Sequence, residues 1–96
     1  MLNSYEKTNC LLANEAHDTI GIMNEHDCAV LIKNASECNL EAGDVGTIVH
    51  IYENGKAFEV EFSSGSGSLI GLLTLAPDEI RPVLAEEVLH VRKIAV

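Results

Sequence analysis

The sequence has 96 residues and a mass of 10.4 kDa, which suits one small domain with a single hydrophobic core. Its hydrophobic fraction of 47% is that of a globular chain and excludes a disordered or collagen-like protein. Fifteen acidic residues against six basic ones give a formal net charge of −9, which argues against nucleic acid as a partner because a phosphate backbone is itself negative.

The sequence of residues 1–23 predicts an N-terminal arm that is weakly helical or flexible. Ser4 suits a helix N-cap, but polar residues dilute the apolar side and Gly21 ends it. The arm lacks the basic and apolar segments of a signal peptide, and the chain never reaches the roughly 18 consecutive apolar residues of a membrane span. Three cysteines are an odd number and too few for a disulfide framework. We therefore expect a cytoplasmic protein without membrane contact and without a structural disulfide.

Three segments predict the first β-strands of the domain. Residues 28–32 form a continuous apolar run, which is typical of a buried strand. Residues 45–52 are rich in β-branched and aromatic side chains. Residues 57–62 alternate strictly, so the two phenylalanines and Val60 face inward and the glutamates outward. Between the last two segments, Asn54-Gly55 predicts a tight type I′ hairpin turn.

The strand pattern continues to residue 83. A bulge near Val49 is predicted because it lets Ile48 and Ile51 both enter the core. The sequence then predicts a mobile loop at residues 63–68 and a strand at residues 69–75. A helical turn with proline in its first position follows at residues 76–79, and a last strand at residues 80–83. Five short strands joined by tight turns predict a mainly β domain, a small five-stranded β-barrel over residues 24–83.

The C-terminal extension, residues 84–96, fits two conformations. Leu84, Val88 and Val91 recur near helical spacing, whereas Val88, His90 and Arg92 alternate as in a strand. The sequence therefore predicts either a helix or an added strand. Because a tail this apolar needs to be covered in water, we expect it to lie over the barrel or to pair with a second copy, and we favour a homo-oligomer.

Two stretches, AGDVGTIVHIYENGKAFEVEF and LLTLAPDEIRPV, carry a resemblance to a known family. They resemble the bacterial family called domain of unknown function 4926, over about residues 24–83. The matching motifs fall at residues 43–47, Tyr52, and residues 60–62, 73–75 and 80–83. The resemblance implies a small SH3-like β-barrel, and it brings no catalytic residue to this sequence.

One set of residues is a candidate metal site. His26, Asp27 and Cys28 are adjacent, and Cys38 or His50 would complete the set. Structural zinc normally uses ligand pairs spaced about two to four residues apart, such as Cys-x-x-Cys, which this chain lacks. The sequence also lacks a nucleophile elbow, a P-loop and a dinucleotide fingerprint. We therefore expect no metal, no cofactor, no catalytic residue and no enzymatic activity.

The remaining candidates predict an interaction surface made of an acidic hairpin and an apolar tail: Tyr52, Glu53, Glu59, Glu61, Val88, Val91 and Ile94. We expect a non-catalytic protein-interaction module, antitoxin-like or a regulatory partner of another protein, whose identity the sequence does not give. The alternative is a KOW-like RNA- or ribosome-associated factor, because the Gly-Asp-Val-Gly-Thr motif at residues 43–47 also resembles the turn of KOW-type modules.

Overall fold

The computed structural model describes residues 23–94, and the predicted N-terminal arm lies outside these residues except for Met23. Five strands within the described part form one antiparallel β-sheet. The strands are β1 (Cys28–Leu31), β2 (Val45–Tyr52), β3 (Ala57–Ser63), β4 (Leu69–Leu75) and β5 (Ile80–Pro82). They lie in the order β4-β3-β2-β1-β5. Residues 23–94 contain no α-helix, and so no helix that could cross a membrane. The mainly β class and the five strands are confirmed, whereas the open sheet, with β4 and β5 at its edges, does not confirm a closed barrel.

One hydrophobic core draws on every strand of the sheet. Ile48 of β2 and Val60 of β3 are fully buried at its centre. Leu31 of β1, Leu75 of β4 and Ile80 of β5 belong to the same cluster. The core therefore extends from one edge of the sheet to the other.

Strand β1 is buried on both faces, as its continuous apolar run predicts. Ala29 and Leu31 face the main core, whereas Cys28 and Val30 pack against Val83 in a second, smaller cluster. Cys28 is disulfide-bonded. The expectation of a chain without a structural disulfide is therefore wrong: the cysteine count of one sequence does not reveal which thiols the fold brings together.

The predicted bulge in β2 is confirmed. The register of β2 against β3 shifts between Ile48 and His50, which leaves Val49 as the extra residue. Ile48 is buried and Ile51 packs against the core, so the bulge turns both side chains inward. A second register shift lies where the end of β3 pairs with the start of β4, and it leaves Ile70 of β4 as the extra residue. It adjoins Gly71, whose lack of a side chain in a strand predicts a bend or bulge at this point.

The turn between β2 and β3 forms one residue earlier than predicted. The Gly55 amide donates to the Tyr52 carbonyl at 2.9 Å, so the two central residues are Glu53 and Asn54. Their φ angles are 42° and 59°, and Gly55 follows at 99°. Glu53, which belongs to the predicted interaction surface, therefore adopts a left-handed conformation that an ordinary side chain disfavours.

The described part of the C-terminal extension, residues 84–94, is neither a helix nor a strand. It starts with a turn in which the Glu87 amide donates to the Leu84 carbonyl at 3.0 Å, and it then continues without regular structure. Both predicted conformations are wrong for these residues, because side-chain contacts with distant parts of the chain fix the tail, as described below.

Gly46 gives a test of the packing between β2 and β3. A Cβ atom at this position would lie 2.7 Å from Val60 Cγ1 and 2.8 Å from the Glu61 carbonyl oxygen, closer than atoms can approach. We expect Gly46→Ala to lower the free energy of unfolding by about 2–3 kcal/mol, measured by urea denaturation.

The matched control is Gly65→Ala, because a Cβ atom at Gly65 meets nothing within 4 Å. This variant should change the free energy of unfolding by less than about 0.5 kcal/mol. Equal stabilities of the two variants would contradict the close packing at Gly46.

Candidate functional site

The outer face of the sheet carries a carboxylate that two hydroxyl groups hold. Glu59 Oε1 accepts hydrogen bonds from Tyr52 OH at 3.1 Å and from Thr74 Oγ1 at 2.6 Å. Thr74 lies directly opposite Glu59 across the β3–β4 ladder, and cross-strand partners share a face of the sheet. Phe58 and Val60, on either side of Glu59, point into the core, so Glu59 points outward. We call Tyr52, Glu59 and Thr74 the hydroxyl–carboxylate cluster.

Tyr52 is oriented by two neighbours and stays accessible. Its ring meets the His50 ring edge-on, with centroids 4.4 Å apart. His50 in turn lies on β2 with its Nδ1 atom 3.7 Å from Glu25 Oε2. The hydrogen bond to Glu59 raises the pKa of the Tyr52 hydroxyl above its ordinary value. Because 38% of Tyr52 is exposed, a partner can reach it.

The surroundings of this cluster are acidic and partly apolar. Glu61 is exposed and lies opposite Leu72 of β4, which is itself 51% exposed. Glu53 is exposed in the adjoining turn. Four of the seven predicted interaction residues, namely Tyr52, Glu53, Glu59 and Glu61, therefore belong to the β2–β3 hairpin and its outer face.

The C-terminal tail begins at a first arginine–carboxylate pair. Arg81 donates through Nη1 and Nη2 to Glu87 Oε1 and Oε2, at 2.9 and 2.7 Å. The Leu84 amide also donates to Glu87 Oε1, at 2.7 Å. These bonds, with that from Arg81 the strongest, lower the pKa of Glu87 to about 2. The bidentate pair of the Arg81 guanidinium with Glu87 therefore fixes the turn from which the tail starts.

A second pair holds the tail near its end. Arg92 Nε donates to Asp44 Oδ1 at 2.8 Å, and Arg92 Nη2 donates to Asp44 Oδ2 and, at 3.0 Å, to the Asn39 carbonyl. The Arg92 guanidinium lowers the pKa of Asp44 below its usual value. Glu41 adds a further carboxylate, 3.7 Å from Arg92 Nε. The tail is thus tied to the loop that precedes β2.

A cavity of about 420 Å³ lies between the tail and the sheet. Its lining includes Leu40, Phe62 and Ile70 from the domain and Leu89 and Ile94 from the tail. Ile94 is half-buried, whereas Val88 and Val91 are 86% and 88% exposed. Of the three predicted interaction residues in the tail, Ile94 and Val91 therefore line the cavity, Val91 with most of its surface still exposed, and Val88 faces solvent.

The seven predicted interaction residues form two groups rather than one surface. Tyr52 ends β2, whereas the tail attaches at Asp44, just before β2 begins. At a rise of about 3.3 Å per residue, the length of β2 separates the two attachment points by roughly 25 Å. The hairpin group and the tail group therefore offer separate surfaces.

Sequence reasoning missed the residues that organise both surfaces. Asp44 was interpreted as a turn residue, and Arg92 lies 48 residues further along the chain, a distance over which one sequence gives no pairing signal. Arg81 and Glu87 were likewise not paired in advance. The contact of Thr74 could have been predicted, because the short loop between the strands predicted at residues 57–62 and 69–75 favours their antiparallel pairing, which places a hydroxyl residue near Glu59.

The candidate metal residues do not converge. Asp27 is buried and its carboxylate accepts the Asn24 amide at 2.9 Å, while Cys28 is disulfide-bonded. Among residues 23–94, no group of three or more histidine, cysteine, aspartate or glutamate side chains is arranged to hold a metal ion.

Residues 25–82 match the model of a protein family described as Domain of unknown function (DUF4926). The chain belongs to the DUF4926 family. The match covers about three fifths of the chain. The DUF4926 domain therefore includes all five strands and the hydroxyl–carboxylate cluster, whereas Glu87 and Arg92 of the tail lie beyond it. No curated protein and no solved structure matches the chain.

The pairing of Glu87 with Arg81 predicts a specific titration. Since the pKa of Glu87 is lowered from 4.5 to about 2, this pair stabilises the folded protein fully above pH 4.5, and the stabilisation is lost as the pH falls toward 2. We expect the Glu87 carboxyl carbon, followed by NMR, to titrate near pH 2. In Arg81→Ala it should titrate close to 4.5.

The control for this titration is Lys56→Ala, which removes an exposed cation of the β2–β3 turn that makes no ion pair with the described residues. It should leave the Glu87 titration unchanged. A pKa of Glu87 that stays low in Arg81→Ala would show that another group holds the carboxylate.

Proposed function

We propose that this DUF4926 protein is a non-catalytic protein-interaction module whose sheet curls into a small SH3-like β-barrel. Three observations support the curled sheet. The core is shared by both edge strands. Register shifts bend β2 and β4, and Gly46 approaches β3 more closely than any other residue type allows.

The hydroxyl–carboxylate cluster carries the interaction proposal. Glu59 is held by two donors, so it loses little side-chain freedom when a partner binds it. Tyr52 beside it offers an aromatic ring and a hydroxyl, a combination that is enriched in protein interfaces. Exposed Glu61 and Leu72 extend this face. The chemistry fits a protein surface with an arginine or lysine that pairs with Glu59 next to an apolar contact.

The charge of the molecule favours a basic protein over RNA. The net charge of −9 and the outward glutamates repel a phosphate backbone, whereas they accelerate and orient the approach of a basic protein. A small acidic module of this kind suits an antitoxin-like or regulatory partner of another protein. A second copy of the chain is a further partner in this proposal.

Cytoplasmic localisation is part of the proposal and rests on the sequence alone. The disulfide of Cys28 weighs against it, because structural disulfides persist mainly in oxidising compartments.

The experiment is a native pull-down of the full chain at moderate salt, with and without RNase, followed by titration of the purified partner. We expect one stoichiometric protein that RNase does not remove. Glu59→Lys should weaken its binding about tenfold or more, because the reversal places a cation where a basic partner docks.

Glu37→Lys is the matched control, since it makes the same charge change at an exposed position in the 3-10 turn Ser36–Cys38. It should bind the partner nearly as the unmodified chain does. Equal binding by the two variants would refute the Glu59 face. RNase-sensitive recovery of ribosomal proteins would instead support the KOW-like alternative.

A further inference from the structure

The tail has a sequence that complements itself. Residues 86–93 read Glu-Glu-Val-Leu-His-Val-Arg-Lys, with two acids at one end, two bases at the other and three aliphatic residues between them. When two copies lie antiparallel, the acidic end of each meets the basic end of the other, and the apolar centres meet. A parallel arrangement would place like charges together. The order of charges therefore favours an antiparallel second copy.

The structure leaves this segment free to pair. Val88 and Val91 are 86% and 88% exposed. Within the described chain, no backbone amide from Val88 to Ile94 donates a hydrogen bond. Lys93 is exposed and forms no ion pair with residues 23–94. The backbone amides of residues 88–94 and the exposed valines therefore still lack partners of the kind that a second strand supplies.

The two arginine–carboxylate pairs hold the segment in place from both sides. Arg81 binds Glu87 near the start of the segment, and Asp44 binds Arg92 near its end. Since the ends of the segment are already attached to the domain, little further freedom is lost when it pairs. The net charge of −9 opposes nonspecific self-association, so a dimer needs a contact with matched charges such as this one.

We propose that residues 87–93 of two copies pair as antiparallel strands around a two-fold axis at His90, forming a homodimer. In this register Glu87 lies opposite Lys93 of the partner subunit, and Leu89 lies opposite Val91 of the partner subunit. The backbone amides of residues 88–93, which donate to no group of the described chain, supply the ladder between the two copies. This proposal names the second copy left open in the proposed function and does not depend on the Glu59 face, which lies at the other end of β2.

Sedimentation velocity of the full chain over a range of concentrations tests the proposal. We expect a monomer–dimer equilibrium whose dissociation constant rises about tenfold or more in Val91→Asp, because a buried carboxylate then replaces an apolar cross-strand contact. Val91 is 88% exposed in the monomer, so the substitution should not affect folding.

The control is Leu69→Asp, which removes another exposed aliphatic side chain, 60% exposed at the start of β4. It should leave the equilibrium unchanged. A chain that remains monomeric at all concentrations, or an equal effect of the two substitutions, would overturn the proposal.

A charge exchange tests the antiparallel register itself. Glu87→Lys and Lys93→Glu each place like charges opposite one another in a homodimer, so each variant alone should be largely monomeric. Mixed together they place opposite charges at both ends, and we expect the heterodimer to form. Glu87→Gln controls for the lost pair with Arg81 and should still dimerise, more weakly than the unmodified chain. Failure of the mixture to associate would refute this register, and the outcome of the Glu59 pull-down would be unaffected.

Discussion

The two-sided pairing of strand β2 is the constraint on which the rest of the structure depends. Its first residues pair with β1, and the same strand continues beyond the Val49 bulge to pair with β3 as far as Tyr52. Gly46 permits the close contact with β3, and the bulge turns Ile48 and Ile51 to the core. Both surfaces are set by this strand: the loop before it receives the tail, and its end supplies the tyrosine of the outer face.

The core and the tail differ in what holds them. The core is formed by buried side chains from every strand, whereas the tail is attached through partly exposed ion pairs. Exposed ion pairs contribute only about 0.2–1 kcal/mol each, although the fork of an arginine on a carboxylate adds direction. The tail is therefore the segment that can adjust to a partner while the domain remains folded.

The sequence predicted the parts of the fold that short-range patterns determine. Alternation placed β3 and its inward residues, and the need to bury both Ile48 and Ile51 predicted the bulge. The hairpin turn was displaced by one residue, because Glu53 takes a conformation that its side chain disfavours. The tail conformation and the Asp44–Arg92 pair depend on contacts between residues far apart in the chain, for which one sequence carries no signal. The contact of Thr74 with Glu59 could have been predicted from the sequence, since the pairing of β3 with β4 alone brings the two residues together.

Amide hydrogen exchange in the tail, followed by NMR at low and high protein concentration, tests the account most directly. The amides of residues 88–91 should exchange rapidly in dilute solution, where they donate to no other group of the described chain, while those of β2 stay protected. At high concentration the tail amides should become protected as a second copy pairs with them. Protection of the tail in dilute solution, or rapid exchange at every concentration, would contradict the account.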